Sequence, residues 1–143
     1  VGVWRCWAPG LLARAMTWVA AQPQCANQAF NIINGDLLRW KNVWPAFARF
    51  FALEAAPPRF MNLASTLADK GSLWQEIVAR HGLKPYAYNE IVSWAYGDIV
   101  FSTAHDIISD TVKARRFGFH EVISTEEMFL QVFDSYRKNR IIP

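Results

Sequence analysis

Two cysteines and three histidines in 143 residues leave little for metal or thiol chemistry. Cys6 and Cys25 form neither a CxxC pair nor a disulfide framework, so a reducing compartment, the cytoplasm, is the default expectation. His81, His105 and His120 lie far apart, with no Hx3H spacing and no neighbouring Cys, and read as caps or surface groups rather than ligands or bases. Only His105-Asp106 stands out from that pattern. Long apolar runs are lacking too. The longest stretch without a charged side chain, 15–35, is interrupted by Pro23 and by several Gln and Asn, which excludes a membrane-spanning helix. Residues 1–10 have no continuous apolar core and no small-residue cleavage site, so no signal peptide is expected. A formal charge of +3 is mild. The basic residues are scattered apart from Lys113-Arg115-Arg116 and Arg137-Lys138-Arg140, so no nucleic acid is called for.

The motifs that carry chemistry are missing as well. There is no GxGxxG, GxxGxxG or GxxxxGK[ST], hence no backbone cradle for a dinucleotide pyrophosphate or a triphosphate. The fourth residue after each tyrosine is Glu90, Val92, Val100 or Arg140, so no Tyr-x-x-x-Lys pair exists in which an ammonium could lower a phenol's pKa. No Gly-x-Ser-x-Gly elbow occurs, and Cys25 has no local base to make it a thiolate.

What the sequence has is apolar and aromatic. The chain is 52% hydrophobic, with seven Trp, ten Phe and four Tyr. That composition excludes disorder and is more than packing alone usually requires, pointing to a ligand pocket or a surface meant to be covered. Periodicity predicts a helix over 11–21, with Leu11, Leu12, Ala15, Met16 and Val19 on an apolar face that Pro23 ends. Ala29-Phe30-Asn31-Ile32-Ile33 reads as one short strand closed by the turn Asn34-Gly35-Asp36. Aromatics at helical intervals predict a helix over 40–52 despite Pro45. After the Pro57-Pro58 linker, Asn62 is placed to cap a helix to about 69, broken by Gly71, and 72–81 is amphipathic with Gly82 as its stop. Over 89–101 the apolar residues nearly encircle the segment, predicting a helix buried on most sides or lining a cavity. Asp110 is expected to cap the turn after it. Ser124-Thr125-Glu126-Glu127 has capping-box spacing ahead of a helix to about 139. Some six helices against one strand leave that strand short of a partner.

Two places could hold chemistry. Trp94, Tyr96, Gly97, Asp98 and Phe101 either wall a pocket, with the Tyr96 hydroxyl orienting a ligand, or are ordinary core. Asn34-Gly35-Asp36 is either a turn and nothing more, or a polar cluster at a strand end, where ligands sit in α/β folds.

These residues carry a resemblance. Ala29-Phe30-Asn31-Ile32-Ile33-Asn34-Gly35-Asp36 with Trp40-Lys41 and Trp44, the run Ser109-Asp110-Thr111-Val112-Lys113-Ala114-Arg115-Arg116-Phe117-Gly118-Phe119, and Ser124-Thr125-Glu126-Glu127-Met128-Phe129 through Ile141-Ile142-Pro143 resemble the C-terminal part of the PRISE family. These are the progesterone 5β-reductase and iridoid synthase-like extended short-chain dehydrogenases. The resemblance covers 11–143 as a single region and leaves 1–10 unaligned.

It implies an α/β fold of NAD(P)-binding Rossmann type, of which this chain would supply a mostly helical substrate-side part with one or two short strands. It also implies NADPH as the family's cofactor, with none bound by this chain alone, because the Gly-rich loop and the Tyr/Lys pair lie in the missing N-terminal Rossmann half. The implied substrate is a small hydrophobic carbonyl compound: an enone, terpenoid or steroid-like molecule. The implied wall residues are Trp94, Tyr96 and Phe101, and no catalytic residue is expected. The alternative is a non-catalytic interaction or small-hydrophobic-ligand-binding module that uses an exposed aromatic face, with self-association as one form of it.

Overall fold

The computed structural model describes residues 3, 4, 6 and 8–143. The described residues form α1 (Pro9–Ala21), a 3₁₀ turn (Pro23–Cys25), α2 (Trp40–Phe50), α3 (Leu63–Leu67), α4 (Gly71–His81), α5 (Tyr88–Ile91), α6 (Trp94–Ser102), α7 (Val112–Arg116) and α8 (Thr125–Lys138). The chain divides into two compact units: Gly2–Glu54 with His105–Leu130, and Ala55–Ala104 with Gln131–Pro143. The two meet in sequence within α8.

In the first unit α1 starts on Pro9, where a missing N–H costs nothing, and buries Leu11 and Ala15 against Ala8, Ala114 and Phe119. Trp18, Phe30, Ile32, Ile123 and Met128 pack on that core. Rings join the layers. Trp18 meets Phe30 edge-on at 5.4 Å and Phe119 at 5.2 Å, Phe30 meets Phe117 at 5.1 Å, and the Lys113 ammonium lies 5.2 Å from the Phe30 ring. Helix α2 keeps Pro45 in its interior, as expected, and buries Val43 and Ala46. Asp110 Oδ1 accepts from the Val112 amide at 2.7 Å, the cap expected there.

The predicted strand over 29–33 is not formed. Those residues belong to neither helix nor ladder, and the only β-bridges among the described residues are Trp4 with Leu38, antiparallel, and Gly35 with Ile123, parallel. Pairing therefore begins one residue too late for the predicted segment. The Asn34 amide donates to Cys6 O at 2.8 Å, Ile123 N donates to Asn34 O at 2.7 Å, and Trp4 and Leu38 exchange bonds of 2.8 and 2.9 Å. A strand exists only through its neighbours, and alternation in sequence cannot supply them.

In the second unit the only buried residue among those described is Trp74 on α4, whose indole N–H donates to Tyr86 O at 2.9 Å. Asn62 caps α3 through the Ser65 amide at 2.7 Å, as predicted. Gly71 opens α4 and Gly82 closes it at φ 59°. The single helix expected over 89–101 is two. Val92 is extended, φ −132°, and separates α5 from α6.

Candidate functional site

Asn34 is fully buried, and each of its polar groups is used. Its side-chain oxygen accepts from the Ala8 amide at 2.7 Å, and its NH₂ donates to Thr125 Oγ1 at 3.1 Å and reaches Met128 Sδ at 3.4 Å. One buried amide thus ties the entry of α1 to the entry of α8, and a polar group so enclosed is tolerable only with all its bonds made. Gly35 turns the chain at φ +98°, where a Cβ would stand 2.8 Å from Val122 Cγ1. Asp36 then holds Thr125. Its carboxylate accepts from the Thr125 amide at 2.7 Å and from the Thr125 hydroxyl at 2.6 Å. The same charge, second to burial, raises the Cys6 thiol above its ordinary range. The Asn34-Gly35-Asp36 block is thus spent on structure, the plainer of the two readings its sequence allowed.

Helix α6 departs from expectation. None of its nine residues is buried, so the segment neither crosses a core nor closes a cavity. Tyr96 is 66% exposed and its hydroxyl makes no hydrogen bond among the described residues, while Ile99 is 65% and Phe101 39% exposed. Trp94 is half-buried and committed: its indole N–H donates to Tyr88 Oη at 2.8 Å, and that hydroxyl donates to Leu67 O at 2.8 Å. Trp94 and Phe101, seven positions apart, share one side of the helix, and Tyr96 lies near the opposite side. Asp98 is a double cap, accepting from the Leu63 and Ala64 amides at 2.6 and 3.0 Å. Gly97 admits Leu63, whose Cδ1 would stand 3.1 Å from an added Cβ.

Two hollows mark the first unit. One is about 10 Å³, room for a single water, between Asn31, Gly35, Arg115 and Glu121. The other is a groove of about 350 Å³ between one face of α1 (Leu12, Met16, Val19, Ala20) and Phe30 and Ile32. The helical periodicity of α1 predicts one apolar face. Leu11 and Ala15 do turn inward, but Met16 stays 65% exposed and Leu12 37%. The signal for the groove was an apolar set wider than one stripe. Trp94, Tyr96 and Phe101 line neither hollow.

A dinucleotide does not fit these residues. The sequence has no glycine cradle, the turn at Gly35 is filled by Val122, and the groove beside α1 has only Gln28 as a polar lining group. No group of three or more His, Cys, Asp or Glu among the described residues could hold a metal ion. No helix among them is long and apolar enough to cross a membrane.

The chain is homologous to the C-terminal part of the PRISE-type short-chain dehydrogenases/reductases. It is similar to the (S)-8-oxocitronellyl enol synthase of Antirrhinum majus, 35% identical over 136 residues that span 93% of this chain and 35% of the relative. The (S)-8-oxocitronellyl enol synthase of Catharanthus roseus is 31% identical over 148 residues, 98% of this chain and 38% of the relative. A short chain dehydrogenase of Penicillium aethiopicum is 29% identical, covering 93% of this chain and 39% of its own length. The chain thus spans little more than a third of the relatives it matches. No family model matches it.

Proposed function

We infer that this chain is the substrate-side, C-terminal portion of an NADPH-dependent reductase acting on a small hydrophobic enone of terpenoid or steroid-like kind, with a Rossmann-type nucleotide-holding portion supplied by other residues. What supports the reading is the extent of the match: nearly the whole chain aligns with proteins named as enol synthases, yet over only 35–38% of their length. The part present has no nucleotide cradle and no Tyr/Lys pair, so the chain alone turns nothing over. Its own contribution is to bind and orient. Tyr96 offers an unengaged phenol on an apolar helix surface, the pairing that fixes a carbonyl compound by one hydrogen bond while its hydrocarbon is desolvated. Trp94 and Phe101, the other expected wall positions, share the opposite side of α6 and do not meet the same ligand face as Tyr96. The test is a direct assay: the chain with NADPH and an enone shows no loss of nicotinamide absorbance, and measurable turnover by the isolated chain overturns the reading.

The second reading, a non-catalytic interaction module, draws on Phe60, 96% exposed, and Tyr96 at 66%, both in the second unit. Size-exclusion chromatography with light scattering separates the two readings. A monomer that binds no hydrophobic dye counts against the module.

A further inference from the structure

We propose that the Asn34-Gly35 peptide is a covalent modification site gated by the fold. Closed, the clasp around Asn34 keeps it inert. Opened to water, Asn34 deamidates, and the carboxylate that replaces its amide keeps the entries of α1 and α8 from closing again.

The dipeptide sets the chemistry. Asn34 is the only asparagine in the sequence that is followed by glycine. The Gly35 nitrogen, with no Cβ beside it to obstruct the approach, can attack Asn34 Cγ. One C–N bond forms, the Cγ–Nδ2 bond breaks, and ammonia leaves with the proton that the Gly35 amide gives up. Water then opens the cyclic succinimide at either of its carbonyls. The product is aspartate, or isoaspartate with the main chain routed through the side chain. Amide and water give acid and ammonia, with no change of oxidation state and no enzyme required.

The closed fold denies each step. Attack needs the side chain to swing over the following peptide, and both are pinned. Asn34 Oδ1 accepts from the Ala8 amide at 2.7 Å, and Nδ2 donates to Thr125 Oγ1 at 3.1 Å. The Asn34 main chain is held on both sides, its N–H donating to Cys6 O at 2.8 Å and its carbonyl accepting from Ile123 N at 2.7 Å. Gly35 is set at φ +98° against Val122. Asn34 is 0% exposed, so hydrolysis lacks its water.

The product cannot resume the place of Asn34. Thr125 Oγ1 has one proton and gives it to Asp36 Oδ1 at 2.6 Å, so toward residue 34 this oxygen can only accept. An amide supplies the donor and a carboxylate supplies none. Aspartate there is a buried charge facing lone pairs, with the Asp36 charge on the far side of the same hydroxyl. Isoaspartate inserts a main-chain carbon between the bond to Cys6 and the bond to Ile123. A single opening is thereby made permanent.

The experiment incubates the 143-residue chain in mildly alkaline buffer with and without denaturing urea, digests it at acid pH, and reads deamidation at each asparagine by fragment mass spectrometry. In urea Asn34 is expected to react ahead of every other asparagine. In buffer its rate is expected to be at least about tenfold lower. Thr125→Val, 91 residues away in sequence, removes the hydroxyl without altering the dipeptide. Its rate in buffer, relative to its own rate in urea, is expected to exceed the wild-type ratio at least about tenfold. Should Thr125→Val not fold, Asp36→Ala takes its place, again normalised to its own rate in urea. Asn34→Asp, the product made directly, is expected to lower the folding equilibrium constant at least about tenfold, while Asn42→Asp, exposed on α2, leaves it unchanged. Equal Asn34 rates in buffer and in urea overturn the proposal, as does another asparagine reacting first in urea. A variant ratio no higher than that of the wild type overturns the role of the clasp, and an Asn34→Asp chain as stable as the wild type overturns the block on reclosing.

Discussion

Asp36 grips Thr125 twice, accepting from its amide at 2.7 Å and from its hydroxyl at 2.6 Å, across 89 residues of sequence. Thr125 is 1% exposed, so nothing from solvent can replace those bonds at its side. Asp36→Ala is expected to cost about 1–3 kcal/mol, the penalty for leaving a buried hydroxyl and a helix-entry amide without their acceptor. Urea denaturation checks it, and a loss below about 0.5 kcal/mol would show the clasp to be dispensable.

The same carboxylate sets a pH response. Burial and the Asp36 charge both hold the Cys6 thiol above the ordinary value of about 8.5. The raised folded pKa means the native state keeps its proton longer. Its stabilising contribution is complete below the unfolded pKa and fades as pH rises through the folded one. Alkylation of Cys6 by iodoacetamide should therefore lag behind that of a free thiol between about pH 8 and 9. Asp36→Asn should quicken it. Equal rates in the two proteins would remove the electrostatic link.

Gly35→Ala should destabilise by about 1–3 kcal/mol, because φ +98° strains any L side chain and the added methyl meets Val122. Adding Val122→Ala should restore only the steric part. Complete recovery in the double variant, read from thermal unfolding, would mean the backbone conformation carries no cost.

Tyr96→Ala should leave stability within about 0.5 kcal/mol, since the ring is mostly in solvent. In a longer protein that carries the nucleotide-holding part, it should raise KM or lower kcat for an enone. An unchanged kcat/KM there withdraws Tyr96 from the substrate wall. Trp94→Phe is the contrasting case. It loses the bond to Tyr88, so about 1 kcal/mol of stability should go whether or not substrate is present.

Local features were legible in the sequence. The stripe of α1 before Pro23, the survival of α2 around Pro45, the Asn62 cap, and the Gly82 stop all depend on residues within a turn or two of each other. Ser124 is a partial case: it accepts from the Glu127 amide at 3.3 Å, while Asp36 does the tighter capping from far away. What stayed illegible needed distant partners. Asp98 allowed either a pocket wall or core packing, while its actual role, capping α3, lies 35 residues back. The segment 89–101 was apolar all round, so periodicity gave no sign of the extended Val92 or of which side faces solvent. Residues 29–33 had the alternation of a strand, and alternation says nothing about whether a neighbour is there to pair.

Trp74 gives the stretch 55–104 a distinct vulnerability. With a single indole as its only enclosed side chain, that stretch has no second layer to absorb a loss, and shrinking the ring leaves its short helices with little reason to stay together. Trypsin should then cut first at Arg59, Lys70 and Arg80, while Arg14, on α1 and paired with Glu121, resists longer.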